Sequence, residues 1–359
     1  MERFHCRLCG GAVKKVFELK PSAIANSYPE EPGSEKYPLE LMQCGDCGHV
    51  QQRYVIPGLF KDYKYRTPAE ALKNTHPVAD MIAAEKPGCR VLEIGCNNGA
   101  FLDALKARGL EPLGVDPSSD HPRALKAYFG MPVARWLDEF DAVVGLNVFA
   151  HIDNLDSVFK GIDKVLAPDG VLIFEVQYLV DLVRSGEFDL VYHEHLDYHT
   201  LKPLQAFLRR YNLVMTEWEH IPAHGGSIRV VARRNGIECA IPDEPLDWAG
   251  LREKIDATGR RLRAVLASHG KVVAFGAAAK ATTLINELGI ADYIKFAVDD
   301  TPEKQGRFIP GTGIPILNSG ILNADDVVLV TAWNYFDVIA QKIPNKLIHP
   351  FEARDSREG

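Results

Sequence analysis

The sequence predicts an α/β chain in three parts: a small N-terminal Cys₄ zinc module over residues 1–68, a central Rossmann-like domain over 69–235 and a second Rossmann-like α/β domain over 236–359. Three observations carry this expectation. The cysteines near the N-terminus come in two pairs, Cys6 with Cys9 and Cys44 with Cys47. From about residue 69, strand-like and helix-like runs alternate around a glycine-rich turn at residues 93–99, as they do when helices cover a parallel sheet. After residue 236 the alternation starts again with its own strand, turn and helix.

Bulk properties narrow the classes. A length of 359 residues suits two or three domains. With 41 basic and 48 acidic residues the net charge is −7, which argues against a general nucleic-acid binder. No apolar run reaches the length needed to span a bilayer, and the start MERFHCRLCGG lacks an apolar signal core. Four of the seven cysteines form the pairs, while Cys89, Cys96 and Cys239 are scattered and do not suggest a disulfide framework. The expected setting is cytoplasmic and reducing, with no membrane or nucleic-acid partner.

In the first block the pattern is C-x-x-C, a long gap, then C-x-x-C-G-H. Two thiolates at this spacing can share one ion, and Gly10 and Gly48 let backbone N–H groups turn toward the sulfurs. Free thiols or a redox pair are the alternative. Four sulfur ligands leave no open position, so zinc here is structural and the chemistry lies downstream. VKKVFEL and YPLELMQC read as strands in a block too small for a large core, for which a metal staple makes sense. A turn-rich stretch from Tyr54 to Pro68 leads out.

The central block opens with CRVLEIGC as a buried strand and FLDALKARG as a helix. LEPLGVDPS and FDAVVGLNV follow as strands, LDSVFKGIDKVL as a helix and DGVLIFEVQ as a fourth strand. LVMTEWEHI and SIRVVARR read as an antiparallel pair at the sheet edge. The turn is Glu93-Ile94-Gly95-Cys96-Asn97-Asn98-Gly99, whose glycines let the backbone pass close under a ligand. Asp116 ends the next strand, about twenty residues on, where a carboxylate can accept ribose hydroxyls. The looser E-x-G-x-x-x-G spacing resembles motif I of S-adenosylmethionine (SAM) methyltransferases. A dinucleotide fold would prefer G-x-G-x-x-G, tight enough for a pyrophosphate. Asn147, at the end of the third strand, either holds the methionine end of SAM or caps its strand.

After the last parallel strand comes Tyr192-His193-Glu194-His195-Leu196-Asp197-Tyr198-His199. Histidine titrates near neutrality, and a carboxylate beside it can orient it, so acid/base work is the favoured use. A metal shared by His195 and His199 on a helix is the lesser alternative, and a solvated polar loop is another. His151 lies four residues past Asn147, on the same side of the crevice. Tyr63, Tyr65 and Arg66 join the first two blocks and either reach over the site or pack as a linker. His224-Gly225-Gly226 suggests either close approach to a ligand or a plain hairpin turn. In the third block, WAGLREKIDATGRRLRAVLASHG is an amphipathic helix ending at a glycine. KVVAFGAAAKATTLINELG is strand, turn and helix, and IKFAVDD and DDVVLVTAWN are strands. Gly276 to Lys280 opens a helix suited to phosphate, and Lys304 and Arg307 add charge nearby; a duplicated Rossmann-like scaffold with no ligand is the alternative.

Assembled, these pieces resemble a known family: the SAM-dependent C-methyltransferases that branch nucleotide-linked deoxysugars, such as those for tetronitrose and kijanose. The resemblance spans nearly the whole chain. It rests on the four-cysteine module, E-I-G-x-N-x-G, N-V-x-A-H-I, Y-H-E-H followed by Y, H-G-G-S-I-R, G-A-x-A-K and D-x-x-P-x-K-Q-G-R-F-x-P-G-T. It implies a central SAM methyltransferase domain with Glu93, Gly95, Asn97, Asn98, Gly99, Asp116 and Asn147 at the cofactor. It implies His195 as catalytic base with Glu194 beside it, and His151, Tyr65 and Tyr192 as further active-site groups. Tyr63, Arg66, His224, Gly225, Lys280, Lys304 and Arg307 fall to the substrate, a nucleotide-diphosphate 4-keto sugar, TDP-linked, methylated at C3 in preference to C5. Cys6, Cys9, Cys44 and Cys47 match the zinc ligands. The third domain closes over the nucleotide sugar in a monomer or small homo-oligomer. Two departures stand out: KAYFGMPVARWLDEFDAVV is short, lacking a helix expected after the second strand, and Ala279 to Thr282 reads A-K-A-T where A-K-G-N is common. The competing readings are a zinc-ribbon RNA methyltransferase and a non-catalytic scaffold with a SAM fold.

Overall fold

The computed structural model describes residues 2–56, 59, 69–352 and 355–356, with 69–75, 224, 355 and 356 described by backbone alone. Tyr63, Tyr65 and Arg66 lie outside the described residues. Three sheets organise what is described.

The first sheet is antiparallel and runs Val13–Ser22, Tyr37–Cys44, Val50–Gln52, Asp197–Tyr198. Its fourth strand is not local. Two residues just past His195 pair with Val50 and Gln51, so the cysteine module and the histidine loop share one sheet. Phe17, Leu19, Leu39 and Leu41 of this sheet are buried in one apolar cluster with Leu251, Ile255 and Leu284 of the third block.

The second sheet has the order Val214–Ile221, Ser227–Arg233, Leu166–Gln177, Phe140–Leu146, Arg90–Ile94, Glu111–Val115, Ala124–Leu125. The last five are parallel, and the first two form the expected antiparallel pair at the edge. Val91, Leu92, Val143 and Val144 are fully buried, the pattern of strands covered on both faces. From Arg90–Ile94 the chain steps outward to Glu111–Val115 and Ala124–Leu125, then returns to the other side at Phe140–Leu146. The order reverses there, so the C-terminal ends of Arg90–Ile94 and Phe140–Leu146 open a crevice. The short stretch noted in the sequence follows the two-residue strand and holds a four-residue helix, Met131–Ala134, before it enters the strand Phe140–Leu146. The Asn154 side chain caps the helix Leu155–Val165 by accepting from the Ser157 N–H at 3.0 Å.

The third sheet runs Ile316–Leu317, Ile294–Val298, Val272–Phe275, Val327–Val330, Lys346–Ile348, Asp355–Ser356, parallel up to its last strand. The long helix Trp248–His269 is capped by Asp247 and ends at Gly270, φ 72°. No helix among the described residues is long and apolar enough to cross a membrane.

Candidate active site

At the crevice, Gly95 (φ 77°), Asn97 (φ 46°), Gly99 (φ 78°) and Asn147 (φ 53°) all take left-handed backbone. A Cβ on Gly95 would sit 2.5 Å from Val148, and one on Gly99 would sit 2.3 Å from the His121 ring. The Asp116 carboxylate accepts from the Asn97 N–H at 3.0 Å and from the Ser118 N–H and hydroxyl at 2.7 and 2.6 Å, which fixes the turn. Glu93 is 4% exposed, and its Oε2 is buried without a hydrogen-bond partner. Burial, reinforced by the charge of Asp116, pushes its carboxyl up to about 8. The Asn147 Oδ1 is likewise buried and unsatisfied. The Asp116 carboxylate, with the orphaned Glu93 and Asn147 oxygens, fits a cationic ligand with donor groups, as SAM is, better than a pyrophosphate.

Across the crevice, the segment expected to carry acid/base work is a turn and not a helix, so His195 and His199 do not share a helical face for a metal. His195 is 3% exposed. Its Nδ1 lies 2.9 Å from the Leu190 carbonyl oxygen, which can only accept, so Nδ1 carries the proton. Its Nε2 faces the Tyr192 hydroxyl at 2.7 Å, and the two rings are 4.0 Å apart. The His151 ring stands 4.7 Å from that of His195. His151 Nδ1 donates to the Glu194 carbonyl at 2.8 Å, and burial pushes this imidazole down to about 4.

Glu194 does not orient His195. Its Oε1 accepts from the Asn26 backbone N–H at 2.9 Å and from the Asn26 side chain at 3.1 Å, while the Leu190 carbonyl sets the imidazole. The physical reason is direction: in this turn the side chains of successive residues diverge, and Glu194 points into the N-terminal module. Burial raises its pKa.

The four cysteine sulfurs lie within 4.8 Å of one another. The Cys6–Cys47 and Cys9–Cys44 separations are 3.6 and 3.5 Å, close to the roughly 3.8 Å that Zn–S bonds of about 2.3 Å give in a tetrahedron. The knuckles are alike. Gly10 and Gly48, both at φ 81°, donate to the Cys6 and Cys44 carbonyls, and the Gly11 and Asp46 N–H groups point at Cys9 and Cys44 sulfurs at 3.4 Å. The donor set fits structural zinc.

In the third domain the crevice repeats the geometry of the second. Asp299 accepts from the Ala277 N–H at 2.9 Å and the Thr301 N–H at 3.0 Å. The three cations expected at the substrate all have partners within the fold. Lys304 pairs with Asp299 at 2.9 Å, and Arg307 pairs with Glu30 at 3.0 Å and donates to the Tyr28 carbonyl. Each cation therefore has a carboxylate partner within the fold. Lys280 is 9% exposed, with its ammonium 4.1 Å over the Trp333 ring, in the field of Asp189 and Glu187. Gly225 belongs to the hairpin between Val214–Ile221 and Ser227–Arg233, where a Cβ would meet the Glu187 carboxylate and the Trp333 ring. The backbone of His224 lies in the same turn, Ala223–Gly225.

Sequence reasoning missed three residues that complete the centre, Arg7, Asn26 and His49, and named Asp197 only as a member of the histidine run. The buried Asp197 carboxylate pairs with Arg7 Nε at 3.0 Å and with His49 Nε2 at 2.8 Å. Burial alone would raise its pKa, but these two partners hold it below the usual carboxylate range. The only sequence signals were an arginine between two ligands and a histidine closing C-x-x-C-G-H.

Three family models tile the chain: a zinc binding domain at residues 6–58, a methyltransferase domain at 63–217 and a C-methyltransferase C-terminal domain at 222–348. The C-methyltransferase NovU of Streptomyces niveus is 29% identical over an alignment spanning 92% of this chain and 90% of the relative. Together the three models and this relative support a SAM-dependent C-methyltransferase family for the chain. A ubiquinone biosynthesis O-methyltransferase of Pelagibacter ubique is 22% identical to this methyltransferase over 41% of the chain and 60% of the relative. Among solved structures, a Burkholderia thailandensis 1,6-didemethyltoxoflavin-N1-methyltransferase with bound S-adenosylhomocysteine (SAH) covers 53% of the chain and 96% of its own, at 15% identity and a TM-score of 0.35. SAM and structural zinc are accordingly the cofactors of this C-methyltransferase.

Proposed function

We propose that this C-methyltransferase acts on a nucleotide-linked 4-keto deoxysugar, TDP-linked, and methylates the carbon next to the ketone, at C3 in preference to C5. The observation that carries the proposal is the contact of the half-buried Tyr192 hydroxyl with the buried His195, beside His151. Carbon is a poor nucleophile until a proton is lost from a position α to a carbonyl. His195 suits that step, because the Leu190 carbonyl fixes the proton on Nδ1 and leaves the Nε2 lone pair to accept. The α C–H bond breaks, its proton goes to Nε2, and the electron pair becomes an enolate. The Tyr192 hydroxyl, released from Nε2, then donates to the enolate oxygen, with His151 alongside. SAM, held by Glu93, Asp116, Asn147 and the glycine turn, supplies the electrophilic methyl group. Likeness to NovU over nearly the full length supports a C-methyl product, and Glu194 serves through Asn26. We place the domain divisions at residues 68 and 235, and the third domain as the lid over the nucleotide sugar.

Positioned bases are worth about 10²–10⁴ in rate, so His195→Asn should lower kcat at least about a hundredfold with SAH binding unchanged. The assay is label transfer from methyl-labelled SAM to TDP-, GDP-, CDP- and UDP-linked 4-keto-6-deoxy sugars, with NMR of the product. A new C–C bond with one nucleotide series supports the proposal. Transfer to none of them, or to oxygen, sinks it.

A further inference from the structure

We infer that Arg7 is a positioning residue that ties the zinc knuckle to both catalytic histidine segments and so sets their separation. The inference rests on the proposed roles of His195 and His151. Arg7 lies between two zinc ligands, Cys6 and Cys9, and its side chain is 2% exposed. Its backbone N–H donates to Gln51 Oε1 at 2.8 Å, and Gln51 Nε2 donates back to the His5 carbonyl at 3.1 Å, so the knuckle is fastened to the strand Val50–Gln52. The guanidinium then reaches in two directions. It donates to the Ile152 carbonyl, and to that of Asp153 at 3.0 Å, the two residues after His151. Its Nε pairs with Asp197, two residues after His195, at 3.0 Å. Asp197 is also held by His49, two residues after the ligand Cys47.

Each knuckle thus sends one side chain to a single carboxylate on the catalytic loop, and Arg7 bridges onward to the other loop, where Arg3 also pairs with Asp153. A planar fork with several fixed donors can do this, whereas a lysine, as a point charge on a flexible stem, cannot hold both partners. The loops meet directly as well: Leu196 N–H donates to the Ala150 carbonyl at 2.7 Å, and Gln52 N–H to the Leu196 carbonyl at 2.9 Å. Loss of the clamp should therefore shift the imidazoles without unfolding the chain.

The test is Arg7→Met in the full-length, zinc-loaded protein, assayed with a TDP-linked 4-keto-6-deoxy sugar. A misplacement near 1 Å can cost about a hundredfold, so kcat should fall by about that factor. KM, zinc content and SAH affinity should stay unchanged, and the ring nitrogen NMR signals of His195 and His151 should move. Arg7→Lys should recover little. Turnover and ring signals like the wild type would overturn the inference, and so would loss of zinc or of SAH binding, which marks a structural role. If Arg7→Met does not fold, Asp197→Asn keeps the shape, removes the ion pair and should give the same kcat loss. His195→Asn separates the two readings: normal turnover there defeats the base assignment, whereas an impaired His195→Asn beside a normal Arg7→Met defeats only the clamp.

Discussion

The roles proposed for His195 and Tyr192 rest on what surrounds them more than on their own chemistry. The dense run from Tyr192 to His199 was legible as a place where titratable groups crowd. What sets each imidazole was not, because its partner is a backbone carbonyl, from Leu190 or Glu194, and a carbonyl carries no residue signature. Glu194 looked like the natural orienter by adjacency, yet its partner is Asn26, 168 residues away. His199 has a different consequence. Both its nitrogens are buried without hydrogen-bond partners, and burial pushes it from 6.5 down to about 4. The unfolded chain binds this proton at higher pH than the folded one, so stability present above pH 6.5 should fade as pH falls toward about 4. His151 adds to the same window. Denaturant titrations across it should show a steep acid loss in the wild type and a shallower one in His199→Leu. An identical slope in both proteins would refute the buried neutral state.

Elements with strong periodicity and glycine punctuation were read correctly from sequence, as with Arg90–Ile94, its turn and the helix Ala100–Ala107. The two-residue strand Asp197–Tyr198 was invisible, since alternation needs more length to declare itself. It is nevertheless the strand that brings the histidine loop into the first sheet. The turn before Ala100–Ala107 makes its own prediction. Gly99 at φ 78° would set a Cβ 2.3 Å from the His121 ring, so Gly99→Ala meets both backbone strain and a clash. A lower melting temperature and weakened SAH binding by calorimetry are expected. Unchanged SAH affinity would mean that this turn does not shape the cofactor crevice.

At the scale of the molecule, three domains were legible as three changes of pattern, but their interdependence was not. From sequence, the link from the cysteine module to the site is Tyr65 in its exit segment, which either reaches over the site or packs as a linker. The described residues give it a second route, through the shared sheet and the pairs from Arg7 and His49 to Asp197. Structural zinc contributes roughly 10–16 kcal/mol to folding in small peptides, so its loss should release the module. Cys44→Ser should therefore lose zinc and methyl transfer while the central sheet still binds SAH; full activity in that variant would make the module a passenger. The most direct measurement of the central claim is solvent exchange at the carbon to be methylated. The full-length enzyme with SAH in place of SAM, given the accepted 4-keto sugar nucleotide in D₂O, is followed by proton NMR. The C3 proton signal should disappear with the wild type and persist with His195→Asn. An unexchanged C3 proton with the wild type, or equal exchange in both proteins, would contradict that claim.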